Sequence, residues 1–214
     1  MTAIFSEGRI GALRLTNRLI RSATAERRAT PEGIVTDELV AMYRELALGG
    51  AGLIIAGHSY VRADGKAGPT MTGLHRDETI AGWRRLIEAV HAAGGFIAAQ
   101  INHGGRQAPP AVVGVPRAPS AVPLGETSPH PLTDAEIEEL IGDYAAAARR
   151  AVEAGFDAIQ IHAAHGYLLA SFHSPFTNRR QDRWGGDWRG RSRMTREVIG
   201  AVRRQIGPDL SLIH

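Results

Sequence analysis

Short apolar runs alternate along the chain with longer stretches of helical period, a pattern that predicts βα units built around a parallel sheet. Residues 18–22 are the first expected strand. Residues 9–15, with Gly8 and Gly11 beside and within them, predict a small hairpin ahead of it. Helical period follows over residues 36–50. Thr36 is placed as N-cap, Asp37 and Glu38 suit the positive helix start, and Gly49 or Gly50 supplies the stop. Residues 52–56, GLIIA, read as a second strand that is apolar on both faces. Residues 80–93 are amphipathic and end at Gly94-Gly95, and residues 96–101 are the third strand. Residues 109–131 are rich in proline and small residues and carry no period, as in a long loop that covers a site. Thr133 and Glu136 then form a T-x-x-E capping box for a helix that runs to about residue 154 and stops at Gly155. Residues 158–162 are the fourth strand, residues 191–205 are helical, Gly207-Pro208 breaks that helix, and residues 210–214 begin a fifth strand.

The pattern gives four complete strand-helix units and the start of a fifth strand, an α/β chain. Eight such units close a (β/α)8 TIM barrel of about 250 residues. The 214 residues therefore read either as an open, doubly wound sheet or as about the first half of a barrel with an N-terminal β-hairpin. Composition narrows the class: 43% hydrophobic and 22% charged residues are those of a globular protein. With 25 basic against 22 acidic residues the net charge is only +3, so generic binding to nucleic acid is disfavoured. The absence of cysteine excludes disulfide frameworks, thiolate metal sites and cysteine nucleophiles, and fits a reducing cytoplasm. The N-terminus has no basic start followed by an apolar run, and no later run approaches the ~18 residues of a membrane span. The expectation is a soluble, cytoplasmic protein without a membrane partner.

Polar residues gather at the strand ends, where both parallel-sheet architectures place ligands. Ser22, Ala23 and Thr24 follow the first strand, Gly57 and His58 the second, Gln100, Asn102 and His103 the third, and His162, His165 and Tyr167 the fourth. Any one of them can simply satisfy loop backbone; their coincidence on one rim points to a site. His162 and His165, three apart, suit two imidazole donors facing developing negative charge. A buried structural pair is the plainer alternative. No acidic residue stands among residues 162–167, so no metal site is expected. Tyr167 offers a phenol as general acid toward a carbanion.

The segments NRLIRSAT (17–24), GGAGLIIAGHSYV (49–61), QINHGGR (100–106), HAAHGYLLASFHSP (162–175) and NRRQDRWGG (178–186) together resemble successive motifs of the Old Yellow Enzyme family. Those proteins are flavin mononucleotide (FMN) oxidoreductases on a TIM barrel. The resemblance spans essentially the whole chain in the family's order and spacing. It implies that residues 1–214 are the N-terminal portion of one such catalytic domain. It also implies ping-pong chemistry, in which NADH or NADPH reduces the flavin and the flavin N5 passes hydride to an activated alkene of enone, enoate or dienoyl type. By this likeness His162 and His165 bind the substrate carbonyl or carboxylate, and Tyr167 protonates the neighbouring carbon. Gln100 meets the pyrimidine side of the flavin, Ala23 and Thr24 form the turn beside it, and His58 and His162 lie near its edge.

Three departures qualify the likeness. Ala25 stands where the family often has Cys or Thr near the flavin. Residues 187–191, DWRGR, replace a usual S-x-E-N-R. The family's phosphate-binding loops and its strand-five cation would fall beyond residue 214. The expectation is therefore that this chain alone binds FMN weakly or not at all, and the alternative is a truncated, noncatalytic half-barrel that self-associates. The arginines around Trp184 and Trp188 also admit a nucleic-acid surface, with a solvated, partly neutralised loop as the plainer explanation.

Overall fold

The computed structural model describes residues 3–213. A 3-10 turn over Ala3–Phe5 leads into an antiparallel hairpin of β1 (Gly8–Ile10) and β2 (Leu13–Leu15). There follow β3 (Ile20–Arg21), α1 (Asp37–Leu48), β4 (Leu53–Ile55), β5 (Ser59–Tyr60), α2 (Thr79–Ala92) and β6 (Ile97–Asn102). The chain continues with α3 (Pro110–Val113), β7 (Arg117–Ala118), β8 (His130–Pro131), α4 (Asp134–Ala154) and β9 (Ala158–Ile161). It ends with α5 (Leu168–His173), α6 (Trp188–Arg191), α7 (Arg193–Ile206) and β10 (Ser211–Ile213).

The main sheet is parallel, in the order β3-β4-β6-β9-β10, with β5 beside the end of β6. Spatial order equals chain order. Helices α1, α2, α4 and α7 all bury their apolar stripes in a single core against one face of the sheet, through Leu39 and Tyr43, Trp83 and Leu86, Leu140 and Tyr144, and Met194 and Val198. A doubly wound sheet reverses its strand order and carries helices on both faces; this arrangement does neither, and it is the consecutive arc of a TIM barrel.

Local chemistry explains the helix limits. In α4 the Thr133 hydroxyl accepts from Glu136 N–H at 3.2 Å, and the Glu136 carboxylate accepts from Thr133 N–H at 2.8 Å. That reciprocal box satisfies two donors that the first turn would leave unpaired. Gly155, at φ 103° in the left-handed region, closes the same helix as only glycine does without strain.

Strand alternation divides the residues between two faces. Ile54, Ile97, Ala99, Ile101, Ile159 and Ile161 point to the helices, while Leu53, Ile55, Ala98 and Ala158 point inward and gather with Leu15 in a second cluster beneath the hairpin. The Ser211 hydroxyl donates to the Ile10 carbonyl and ties the hairpin to β10. By the same parity Gln100, Gln160 and His162 fall on the inner face, toward the C-terminal ends of their strands.

Several boundaries differ from the sequence expectation. The strand expected over residues 18–22 reduces to Ile20–Arg21, because the Asn17 side chain takes Leu19 N–H and donates to the Gly50 carbonyl, each at 2.9 Å, and so turns the chain into the edge. The loop over 109–131 contains α3, started by Pro110 at a position where a missing N–H costs nothing, and the two-residue parallel pair of β7 and β8. The helix expected from residue 191 begins earlier, as α6, where the Asp187 carboxylate accepts from Gly190 N–H at 2.9 Å, and it is interrupted at Ser192. The replacement loop at 187–191 thus supplies its own cap. In the last strand, Ser211–Ile213 is extended, and the expected His214 lies outside the described residues. The arginine-rich segment is committed internally: Arg183 pairs with Asp134 and Glu138 and lies over the Trp184 ring, and Arg180 pairs with Asp182. Among the described residues no helix is long and apolar enough to cross a membrane.

Candidate active site

The His162 N–H donates to the Ile101 carbonyl at 3.0 Å, carrying the β6-β9 pairing one residue past β9 and holding His162 on the inner face. The chain then turns sharply. His165 and Gly166 are both left-handed, at φ 57° and 73°, and the Gln107 side-chain amide donates to the His165 carbonyl. A left-handed conformation at a non-glycine residue is a strained one that its surroundings must hold. Helix α5 begins immediately afterwards and anchors the turn through buried Leu168, Leu169 and Phe172.

The result is a cluster of four rings. The His162 centroid is 5.1 Å from that of His165 and 5.0 Å from that of Tyr167, both edge-on. His58, delivered by the end of β4, stands 5.3 Å from Tyr167 and 5.9 Å from His162.

Hydrogen bonds fix which nitrogens face a ligand. Ala164 N–H lies 3.3 Å from His162 Nδ1; Nδ1 must accept, so the neutral ring carries its proton on Nε2. The Asn102 amide lies 2.8 Å from His58 Nδ1, leaving Nε2 of that ring to a ligand. Burial pulls the His162 pKa down to about 4, assisted by charge repulsion from His58 and His165. Burial also lowers His58, opposed by Glu26 and reinforced by His165 and Arg27. Both imidazoles are thus neutral donors near pH 7 rather than cations. Burial raises the Tyr167 phenol, partly countered by Arg27, and keeps it protonated.

Gln100 and Gln160 are register partners on β6 and β9, and their side chains bond at 2.6 Å on the inner face. Ala23 packs on the inner apolar cluster. Thr24 is exposed, and its hydroxyl turns back to the Ser22 carbonyl at 3.3 Å, so these two residues offer backbone and a small surface rather than polar side chains. The structure therefore brings His58, His162, His165 and Tyr167 into one cluster, with Gln100 farther down the inner face and Ala23 and Thr24 past the end of β3.

His103, also at the rim in sequence, is withdrawn from it. Its side chain is fully buried, with Nδ1 accepting from Gly105 N–H at 3.0 Å and Nε2 bonded to Asp64 at 3.1 Å. Burial opposes the charge on Asp64, yet hydrogen bonds from His103 and Arg62 hold its pKa far below the usual range. This is a structural brace for the loop after β6.

Several residues of the site went unread in the sequence. The Glu26 carboxylate accepts from the Tyr43 hydroxyl at 2.6 Å and from Arg21 at 2.9 Å, and the same hydroxyl accepts from Gly57 N–H at 2.8 Å. This nest fixes the backbone that presents His58. Gln160 had a signal, since it shares the inward parity of Gln100. Asn102 was read at the rim, but not its bond to His58, and Arg27 had no signal beyond its position. No group of three or more His, Asp or Glu side chains among the described residues is arranged to hold a metal ion.

A partial parallel barrel with neutral imidazoles, a phenol and a carboxamide pair at its C-terminal rim has clear relatives. Residues 3–214 match the model of the NADH:flavin oxidoreductase / NADH oxidase family, and the chain belongs to that family. It is 45% identical to a metal reductase of Desulforamulus reducens over 217 residues, which is 100% of this chain and 32% of that protein. It superposes on an Old Yellow Enzyme homologue from Zymomonas mobilis with TM-score 0.91 and 35% identity, covering 98% of this chain and 62% of that one. Morphinone reductase in complex with tetrahydroNAD gives TM-score 0.92 and 32% identity, with 99% and 63% covered. The chain is thus of Old Yellow Enzyme type, and it spans between about a third and about three fifths of the length of these relatives.

Proposed function

We propose that the protein is an FMN-dependent oxidoreductase that uses NADH or NADPH to reduce an activated C=C bond in an enone, enoate or dienoyl substrate. The observation that carries this reading is the ring cluster, in which the neutral imidazole of His162 has the His165 ring and the protonated Tyr167 phenol at centroid spacings of 5.1 and 5.0 Å.

The donor set fits a flavin. The carboxamides of Gln100 and Gln160 offer both donors and acceptors, as the pyrimidine edge of an isoalloxazine requires. Ala23 and Thr24 would lie beside the ring with small side chains, and His58 and His162 would border it. When bound, FMN supplies the two-electron chemistry, taking a hydride equivalent from the nicotinamide coenzyme and giving it to the alkene. The protein's residues supply the rest. The N–H groups of His162 and His165 donate to the substrate oxygen, and those bonds strengthen as negative charge accumulates there, so they favour the transition state over the ground state. The neutral His162 imidazole suits this role, because it stabilises the charge without protonating it early. Tyr167 gives its proton to the carbon next to the carbonyl and regains one from solvent. The alkene gains a hydride and a proton, and NAD(P)H becomes NAD(P)+. A nicotinamide reductant is supported by the tetrahydroNAD complex of morphinone reductase.

The test is anaerobic turnover of the complete gene product with an enone, using a deuterated coenzyme in water and then unlabelled coenzyme in heavy water. Label on the β carbon in the first case and on the α carbon in the second supports hydride delivery to the one and proton delivery to the other. Coenzyme oxidation that does not depend on the alkene overturns both.

A further inference from the structure

Arg27 is one of only two non-glycine residues with positive φ among the described residues, at 55°; the other is His165. Both stand at the same rim. The conformation of Arg27 is held from outside: the Thr70 hydroxyl donates to its carbonyl at 2.9 Å, and Ala29 N–H bonds the Thr70 carbonyl at 3.1 Å. Arg27 lines a small cavity of about 60 Å³ together with His58, Thr72 and Tyr167.

The neighbouring charges are already matched. Arg28 pairs with Glu38, and Arg21 with Glu26, whose side chain is only 7% exposed. The Glu26 carboxylate also accepts from Tyr43, so it is not available to neutralise a cation in the cavity. No acidic side chain among the described residues forms an ion pair with Arg27. Its field nevertheless reaches both His58 and Tyr167. A strained backbone thus places an unmatched guanidinium in the same cavity as the phenol. One free guanidinium matches one planar monoanion, for which its fork is suited to two parallel hydrogen bonds.

We propose that Arg27 is the specificity-determining residue of this site, and that it selects unsaturated substrates carrying a carboxylate remote from the reacting carbonyl. The proposal rests on the alkene-reductase reading above and adds the class of substrate. The carboxylate takes no part in the reaction; its pairing with Arg27 orients the alkene beside Tyr167.

The test uses the complete gene product with a matched pair of substrates, an enone bearing a carboxylate and its methyl ester. The ratio of kcat/KM for acid over ester should fall about 10- to 100-fold in Arg27→Gly, the range of a charge-assisted hydrogen bond. It should recover in part in Arg27→Lys. Glycine is the informative replacement because it adopts the left-handed backbone freely. Arg44→Ala, which removes an exposed charge on α1 far along the chain, should keep the wild-type ratio and so control for net charge. Calorimetric titration with the saturated keto acid and its ester needs no turnover, and Arg27→Gly should weaken only the acid, by a similar factor. An unchanged ratio and unchanged acid affinity in Arg27→Gly overturn the proposal while leaving the reductase reading intact. A loss of discrimination between NADPH and NADH in place of acid and ester also overturns it, since the cation would then serve the coenzyme. If neither enone is reduced but acid binding still depends on Arg27, the reductase reading falls and the carboxylate subsite stands.

Discussion

Replacing His162 by glutamine removes one titrating group from a wall of the site, and its effect on the pH dependence of stability can be worked out. In the folded protein burial holds the His162 pKa at about 4, against 6.5 for an unperturbed imidazole. The folded-state value is the lower one, so below pH 6.5 the unfolded chain binds the proton first and stability falls as pH falls, until the folded form is protonated near pH 4. Between pH 7 and pH 5 this group alone should remove about 2 kcal/mol of stability. With His162 only 7% exposed, solvent screening makes little reduction in that figure. Glutamine keeps a side chain that can meet Ala164 N–H but does not titrate. Urea unfolding of both proteins at the two pH values, followed by circular dichroism, gives the comparison. Other groups, including His58, are common to both proteins and largely cancel. The wild type should lose about 2 kcal/mol more than His162→Gln over this interval. Equal losses would refute the claim that His162 is held neutral by burial, and with it the role of the ring as a neutral donor.

Other outcomes follow from the same geometry. Tyr167→Phe should lower alkene reduction about 100-fold, the low end for loss of a general acid, while the anaerobic bleaching of flavin by coenzyme suffers far less; stopped-flow measurement of the two half-reactions separates them. In Gly57→Ala the new Cβ would collide with Glu26 Oε2 and lie 2.5 Å from the Thr24 carbonyl. The Glu26 nest must open, and chemical denaturation should show a loss of about 3 kcal/mol. Arg27→Gly should raise stability by about 0.5–1 kcal/mol, because glycine relieves the left-handed strain at some cost in chain entropy; a lowered thermal midpoint would count against that strain.

The elements best legible in the sequence were those whose signal is local. The Thr133–Glu136 box, the glycine stop at Gly155 and the apolar run of residues 52–56 each act through neighbouring atoms, and each appears in the fold at the expected place. The pieces that were not legible depend on distant partners. Strands β5, β7 and β8 are two residues each and exist only because β5 is laid against the end of β6 and the two loop segments β7 and β8 against each other. The rim showed the same division. Parity along a strand brings His162 and Gln100 to the inner face, but no local pattern tells that His103 is drawn away by Asp64, 39 residues earlier in the chain. Nor does any local pattern mark Arg27, whose meaning comes from a left-handed backbone and from the pairing of Arg21 with Glu26 and of Arg28 with Glu38 beside it.

Whether this rim holds a flavin and passes reducing equivalents from a nicotinamide coenzyme to an alkene is decided by the visible absorbance spectrum of the purified complete gene product. The spectrum is followed during anaerobic addition of NADH or NADPH and then of an enone. A yellow protein is expected, its flavin bands bleaching with coenzyme and returning with the enone. A protein that stays colourless after reconstitution with FMN, or whose flavin bleaches but is not reoxidised by any conjugated alkene, would contradict the proposed chemistry.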